Sequence, residues 1–148
     1  MANNGNHFMI AFIKSPLGGV FGKGLAVITL KGIKTGRQIS VPINVIDEGD
    51  SFTVISLRER TWWRNLRGGA KVGLFTGGKN LKASGSVLES QDEVRAALAL
   101  FFTRHANMAK FFKVTFNKNG SINELTLVKV VSERVVITLK KELSTKRD

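Results

Sequence analysis

Residues 39–45 alternate Ile39, Val41, Ile43 and Val45 with Ser40, Pro42 and Asn44. A period of two puts one face of an extended segment in a core and the other in water. The same grammar recurs on both sides of it. Leu25 to Leu30 is rich in β-formers and stops at Lys31-Gly32, and Phe52 to Leu57 follows the turn Asp47-Glu48-Gly49-Asp50. Val72 to Phe75 and Leu81 to Leu88 flank Thr76-Gly77-Gly78-Lys79-Asn80; Leu81, Ala83, Gly85 and Val87 share one face, with Lys82, Ser84 and Ser86 on the other. Short strands strung on tight turns pair antiparallel, and the strand–helix alternation of a doubly wound sheet is missing. Pro42 cannot donate to a ladder, so its strand has an edge, a bulge or a bend there.

After these strands, two helices are expected. Ser90-Gln91-Asp92-Glu93 is a capping box, and Val94, Ala97, Leu98 and Phe101 after it recur at i, i+3, i+4 and i+7. Met108 to Phe112 reads as a second, short helix. Two strands, Glu124 to Val131 and Val135 to Leu139, are expected to close the fold, with residues 1–7 and the charged tail 140–148 flexible. The expectation is one α+β domain over residues 1–148, mainly antiparallel β, its six or seven strands closing into a small barrel with two or three flanking helices.

A formal charge of +12 favours an anionic partner: nucleic acid, acidic lipid or a phosphorylated small molecule. With no cysteine there is no disulfide framework, thiolate metal site or cysteine nucleophile, and His7 and His105 are too far apart to announce a metal centre. No secretory signal is evident, and a cytoplasmic location is expected. The apolar run Phe8–Ile13 is too short to span a bilayer. It suits a first helical turn packed on the core, or an interfacial anchor in peripheral contact with a membrane.

Three constellations are candidates for chemistry. In Lys31-Gly32-Ile33-Lys34-Thr35-Gly36-Arg37, glycines let backbone approach an anion, Lys34 and Arg37 supply charge and Thr35 a hydroxyl. A plain solvated hairpin has the same composition, and the stretch is not a P-loop. Ser56-Leu57-Arg58-Glu59-Arg60-Thr61 sits at a strand-to-helix junction, where helix N–H groups and two arginines attract an anion, or where Glu59 simply pairs with an arginine. Thr61-Trp62-Trp63-Arg64-Asn65-Leu66-Arg67-Gly68 holds the only two tryptophans on a short helix that Thr61 can cap and Gly68 can close. The two rings point about 100° apart, so one can pack in the core while the other walls a pocket, or both serve a core or a dimer interface. Asn65 suits a structural hydrogen bond. No catalytic side-chain set or metal-ligand spacing is present, which leaves the chemistry to a bound cofactor.

Lys34-Thr35-Gly36-Arg37, then Val41-Pro42, then Trp62-Trp63-Arg64-Asn65-Leu66-Arg67-Gly68-Gly69-Ala70, in this order, resemble the deazaflavin-dependent nitroreductase family of the split β-barrel flavin-binding superfamily, related to pyridoxamine-phosphate oxidases. The resemblance covers roughly residues 25–88. It implies a split barrel that binds coenzyme F420 or, as in relatives, FMN, and moves hydride between the cofactor and a quinone, nitro compound or enone. By that likeness Lys34, Thr35, Gly36 and Arg37 lie at the cofactor phosphate, Pro42 belongs to the same motif, Ser56, Leu57 and Arg58 lie along the ring, and Thr61, Trp62, Trp63 and Asn65 complete the pocket. A homodimer is usual in this superfamily. The chain departs from the better-known members in a shorter Ser56–Trp62 segment and in having no tyrosine. The alternatives are a carrier that holds the cofactor without turnover and a basic nucleic-acid-binding barrel. The latter is disfavoured by the scarcity of aromatics interleaved with Lys and Arg.

Overall fold

The computed structural model describes residues 24–142. The elements run β1 (Leu25–Lys31), β2 (Gln38–Asn44), β3 (Ile46–Asp47), β4 (Ser51–Leu57), a 3₁₀ helix (Trp62–Leu66), β5 (Ala70–Thr76), β6 (Lys79–Leu88), α1 (Gln91–Arg104), α2 (Ala106–Phe111), α3 (Glu124–Glu133) and β7 (Arg134–Lys141). The seven strands form one half-barrel sheet in the order β2-β1-β5-β6-β7-β4-β3. Its pairs β1–β2, β1–β5, β5–β6 and β3–β4 are antiparallel, so the fold is the α+β, mainly antiparallel architecture that the alternation and turns imply, in the split-barrel form that the family resemblance implies.

The described residues divide into two compact units: residues 24–55 with Trp62–Val87 and 137–142, and Ser56–Thr61 with Leu88–Val136. In the first unit β1 lies between β2 and β5, and its continuous apolar run is buried, with Ala26, Val27 and Ile28 at 0%, 1% and 0% exposure. Its partner β2 is an edge strand of the sheet and carries Pro42 opposite Val27, the position in a sheet that tolerates a proline. Gly77 and Gly78, at φ +58° and +77°, make the two-residue turn between β5 and β6. Paired positive φ values match the twist of a hairpin, and glycine takes them without steric cost.

The second unit packs α1 on α3. Ser90 caps α1 as its sequence implies: its Oγ accepts from Glu93 N–H at 3.2 Å and donates to Glu93 Oε1 at 3.1 Å. Val94, Leu98, Phe101 and Phe102 are buried on the inner face. Glu124 to Val131 is not a strand but most of α3. Asn123 caps it, accepting from Thr126 N–H at 3.2 Å, and Leu127, Val130 and Val131 form the buried i, i+3, i+4 face. The β-branched composition expresses only a weak preference, and the cap and the helical spacing override it.

The closing strand β7 runs through Lys140 and Lys141, residues expected in the tail. Lys141 Nζ bonds Asp47 Oδ1 at 2.9 Å and stands 4.4 Å from the Phe52 ring. The apolar run 8–13 and residues 1–7 and 143–148 lie outside the described residues.

Candidate functional site

The turn between β1 and β2 is held by its own backbone. Gly32 N–H donates to Arg37 O and Gly36 N–H to Gly32 O, each at 2.8 Å, and Arg37 N–H donates to Thr35 Oγ1 at 3.1 Å. Gly36 takes φ +71°, and a Cβ on Gly32 would stand 3.1 Å from both Ile39 Cδ1 and Thr35 Oγ1. Glycine takes the positive φ at position 36 without steric cost, and at position 32 a side chain would press on Ile39 and Thr35. Ile33 N–H leaves the turn and donates to Asn65 Oδ1 at 2.8 Å. Among the described residues the N–H groups of Lys34 and Thr35 alone in this turn have no hydrogen-bond partner. These two N–H groups lie at the tip of the turn, where Lys34, Thr35, Gly36 and Arg37 are all exposed.

Asn65 is the link between two motifs that sequence spacing kept apart. Its Nδ2 donates to Trp62 O at 2.9 Å, while its Oδ1 holds the turn through Ile33. One amide therefore fixes the basic turn against the tryptophan helix. Both tryptophans are buried, at 7% for Trp62 and 2% for Trp63. The Arg64 and Arg67 guanidinium carbons lie over the Trp63 ring, 5.8 Å and 5.3 Å from its centroid, within cation–π range. Trp62 Nε1 is buried and has no hydrogen-bond partner among the described residues. Buried donors are normally satisfied, so this N–H is a group that a ligand acceptor would complete.

Gly68 and Gly69 end the helix at φ +78° and +89°, with Gly69 N–H donating to Leu66 O at 2.9 Å. Leu66 then seats against β6 at Gly85, where a Cβ would come within 3.0 Å of Leu66 Cδ2.

The Ser56–Thr61 segment belongs to the second unit. Ser56 is 6% exposed and its Oγ donates to Leu57 O at 3.3 Å. Leu57 is half-buried and Thr61 exposed. Arg58 N–H donates to Glu133 O at 2.8 Å, and its Nη2 donates to Glu89 O at 2.9 Å and Arg134 O at 3.0 Å. Arg58 thus braces backbone carbonyls that its place in the sequence did not reveal. His105 closes α1 with its N–H on Phe101 O at 2.9 Å and its ring 4.5 Å from that of Phe101, a structural role. Phe101 and Phe102 are core, whereas Phe111 is 73% exposed.

No protein-family model matches the sequence, and no curated protein does. Solved structures do. A candidate pyridoxamine 5'-phosphate oxidase from Listeria innocua superposes with a TM-score of 0.53 at 13% identity, covering 86% of this chain and 90% of that one. A Clostridium acetobutylicum protein related to general stress protein 26 of B. subtilis, of the pyridoxinephosphate oxidase family, gives 0.52 at 8% identity over 89% and 84% of the two chains. An F420-H2 dependent reductase gives 0.45 at 14% identity over 79% and 94%. With the strand order above, the first two superpositions identify the fold as the split β-barrel of the pyridoxamine-phosphate-oxidase type.

Proposed function

We propose that the chain is a flavin- or deazaflavin-dependent oxidoreductase, with coenzyme F420 as first choice and FMN as second, acting on a small quinone, nitro or enone acceptor. The Asn65 bridge carries this assignment, because it joins the basic turn to the tryptophan helix within a split barrel. Lys34 and Arg37 supply cationic side chains for a phosphate, and the N–H groups of Lys34 and Thr35 add donors at the turn's tip. The Trp62 indole N–H offers a buried donor to a ring acceptor, so the residues present fit such a group. When bound, a reduced flavin or deazaflavin supplies a hydride. The protein contributes binding, orientation and exclusion of water. Net charge of +12 suits an anionic cofactor, all the more one with a phosphodiester and carboxylates. A homodimer in the cytoplasm belongs to the same reading.

The test is anaerobic reoxidation of pre-reduced F420 or FMN by menadione or a nitroaromatic, with and without the protein. Protein-dependent reoxidation supports the oxidoreductase. A cofactor that binds but is not reoxidised by any acceptor refutes catalysis and leaves a carrier.

A further inference from the structure

A groove of about 650 Å³ opens on the second unit, beside the end of α2 and along α3. Its apolar lining includes Phe111, Phe112, Leu125 and Val130. Phe111 is 73% exposed and Leu125 85%, and the Phe111 and Phe112 rings meet edge to face at 5.2 Å. Large apolar side chains gathered at one exposed groove mark a binding surface more often than a random feature of the surface.

The charges of the groove are mainly positive. Lys113, Lys129 and Arg134 line it against a single carboxylate, Glu133. The Arg134 guanidinium carbon stands 5.0 Å from the Phe112 ring, so one cation lies on the apolar floor instead of out in solvent. Burial pulls its pKa below the ordinary arginine value, with Glu133 acting in the opposite sense.

Lys113 adds an independent observation. It is the one non-glycine residue at positive φ among the described residues, at +63°. It ends α2 in a closure where Lys113 N–H donates to Lys110 O at 3.0 Å and Val114 N–H to Ala109 O at 2.8 Å. Glycine is the usual occupant of that position because a Cβ is strained there. A lysine is a poor choice for stability and a good one for placing a cation on the groove wall.

We propose that this groove binds a small molecule made of an apolar or aromatic body and one carboxylate, the body against Phe111, Leu125 and Val130 and the carboxylate among Lys113, Lys129 and Arg134. The volume is that of a small-molecule pocket. A second copy of the chain is disfavoured as occupant, because a self-complementary contact would bring the same cations face to face. None of these residues belongs to the cofactor site proposed above, so either assignment can fail alone.

Calorimetric titration of the full chain at low salt with 2-naphthoate and with its neutral isostere 2-naphthamide tests the site. The carboxylate is expected to saturate and to bind about tenfold tighter than the amide, the effect of one or two charge-assisted contacts. Lys113→Gly should weaken naphthoate by about fivefold while the melting midpoint holds or rises, since the strained backbone is relieved. Lys129→Gln, an exposed change with no fold to lose, should weaken it similarly. No saturable naphthoate binding, equal affinity for the two compounds, or unchanged affinity in both lysine variants overturns the assignment.

Discussion

Replacing Asn65 with alanine removes two hydrogen bonds at once, the 2.8 Å bond from Ile33 N–H and the 2.9 Å bond to Trp62 O. Each contributes about 1 kcal/mol net. The Ile33 bond is exposed, so water can replace part of it and its loss falls at the low end. The sum is about 1–2 kcal/mol, or a fall of roughly 3–6 °C in the melting midpoint for a chain of this size. The sharper readout is amide exchange. Ile33 N–H has lost its acceptor, and its exchange should quicken about fivefold beyond any global change. Asn65→Asp keeps the acceptor and loses the donor, so it should preserve Ile33 protection while giving up part of the stability. Unchanged Ile33 exchange in Asn65→Ala, measured by NMR in a folded sample, would refute the idea that this amide ties the turn to the tryptophan helix.

Lys34→Ala with Arg37→Ala should weaken cofactor affinity by about tenfold or more and barely move the melting midpoint, because both side chains are exposed; equal affinity in the folded double variant removes the phosphate-anchor assignment. Gly85→Ala forces a methyl to within 3.0 Å of Leu66 Cδ2 and 3.2 Å of Leu139 Cδ2, and both leucines are fully buried. It should cost about 1–2 kcal/mol after the gain from a stiffer unfolded chain. A double-mutant cycle with Leu66→Ala should recover part of that cost, and strict additivity would contradict the packing account. The Lys141 ammonium, and after it the Gly49 N–H, hold the Asp47 carboxyl below its ordinary pKa. A folded-state pKa below the unfolded one gives stability that is complete above the unfolded value, about 3.9, and is lost as pH falls through the folded value. The carboxylate is largely exposed, so the effect is about 0.5 kcal/mol. Wild type should lose slightly more stability than Asp47→Asn on acidification from about pH 5, and parallel unfolding curves would contradict the pairing.

The strands β1, β2, β4, β5 and β6 were legible because apolar residues run through β1 or alternate along the others and the turns between them are rich in glycine or acidic residues, whereas the two-residue β3, Ile46–Asp47, overlaps the stretch read as a turn. Local signals also revealed α1, whose capping box and inner face agree. α3 was hidden for a physical reason. Leu125 and Val128 are apolar yet exposed, at 85% and 49%, so the helical face of Leu127, Val130 and Val131 was buried in a continuous β-like run. Asn123, three residues before Thr126, was the signal that identifies it. At the candidate site the residue types were legible and their relation was not. The Ile33–Asn65 bond spans 32 positions and the Arg58–Arg134 bond 76, and no local pattern encodes either. The burial of both tryptophans, with one indole N–H unpartnered among the described residues, likewise depends on packing that spacing alone leaves open.

The most direct test of the cofactor assignment is titration of the purified protein with F420 and with FMN, followed by fluorescence, in wild type and in the Lys34→Ala/Arg37→Ala variant. Saturable binding of F420 at micromolar concentration or tighter, weaker for FMN and weakened by the double substitution, is the expected result. Binding of neither cofactor by folded protein would contradict the assignment at its root.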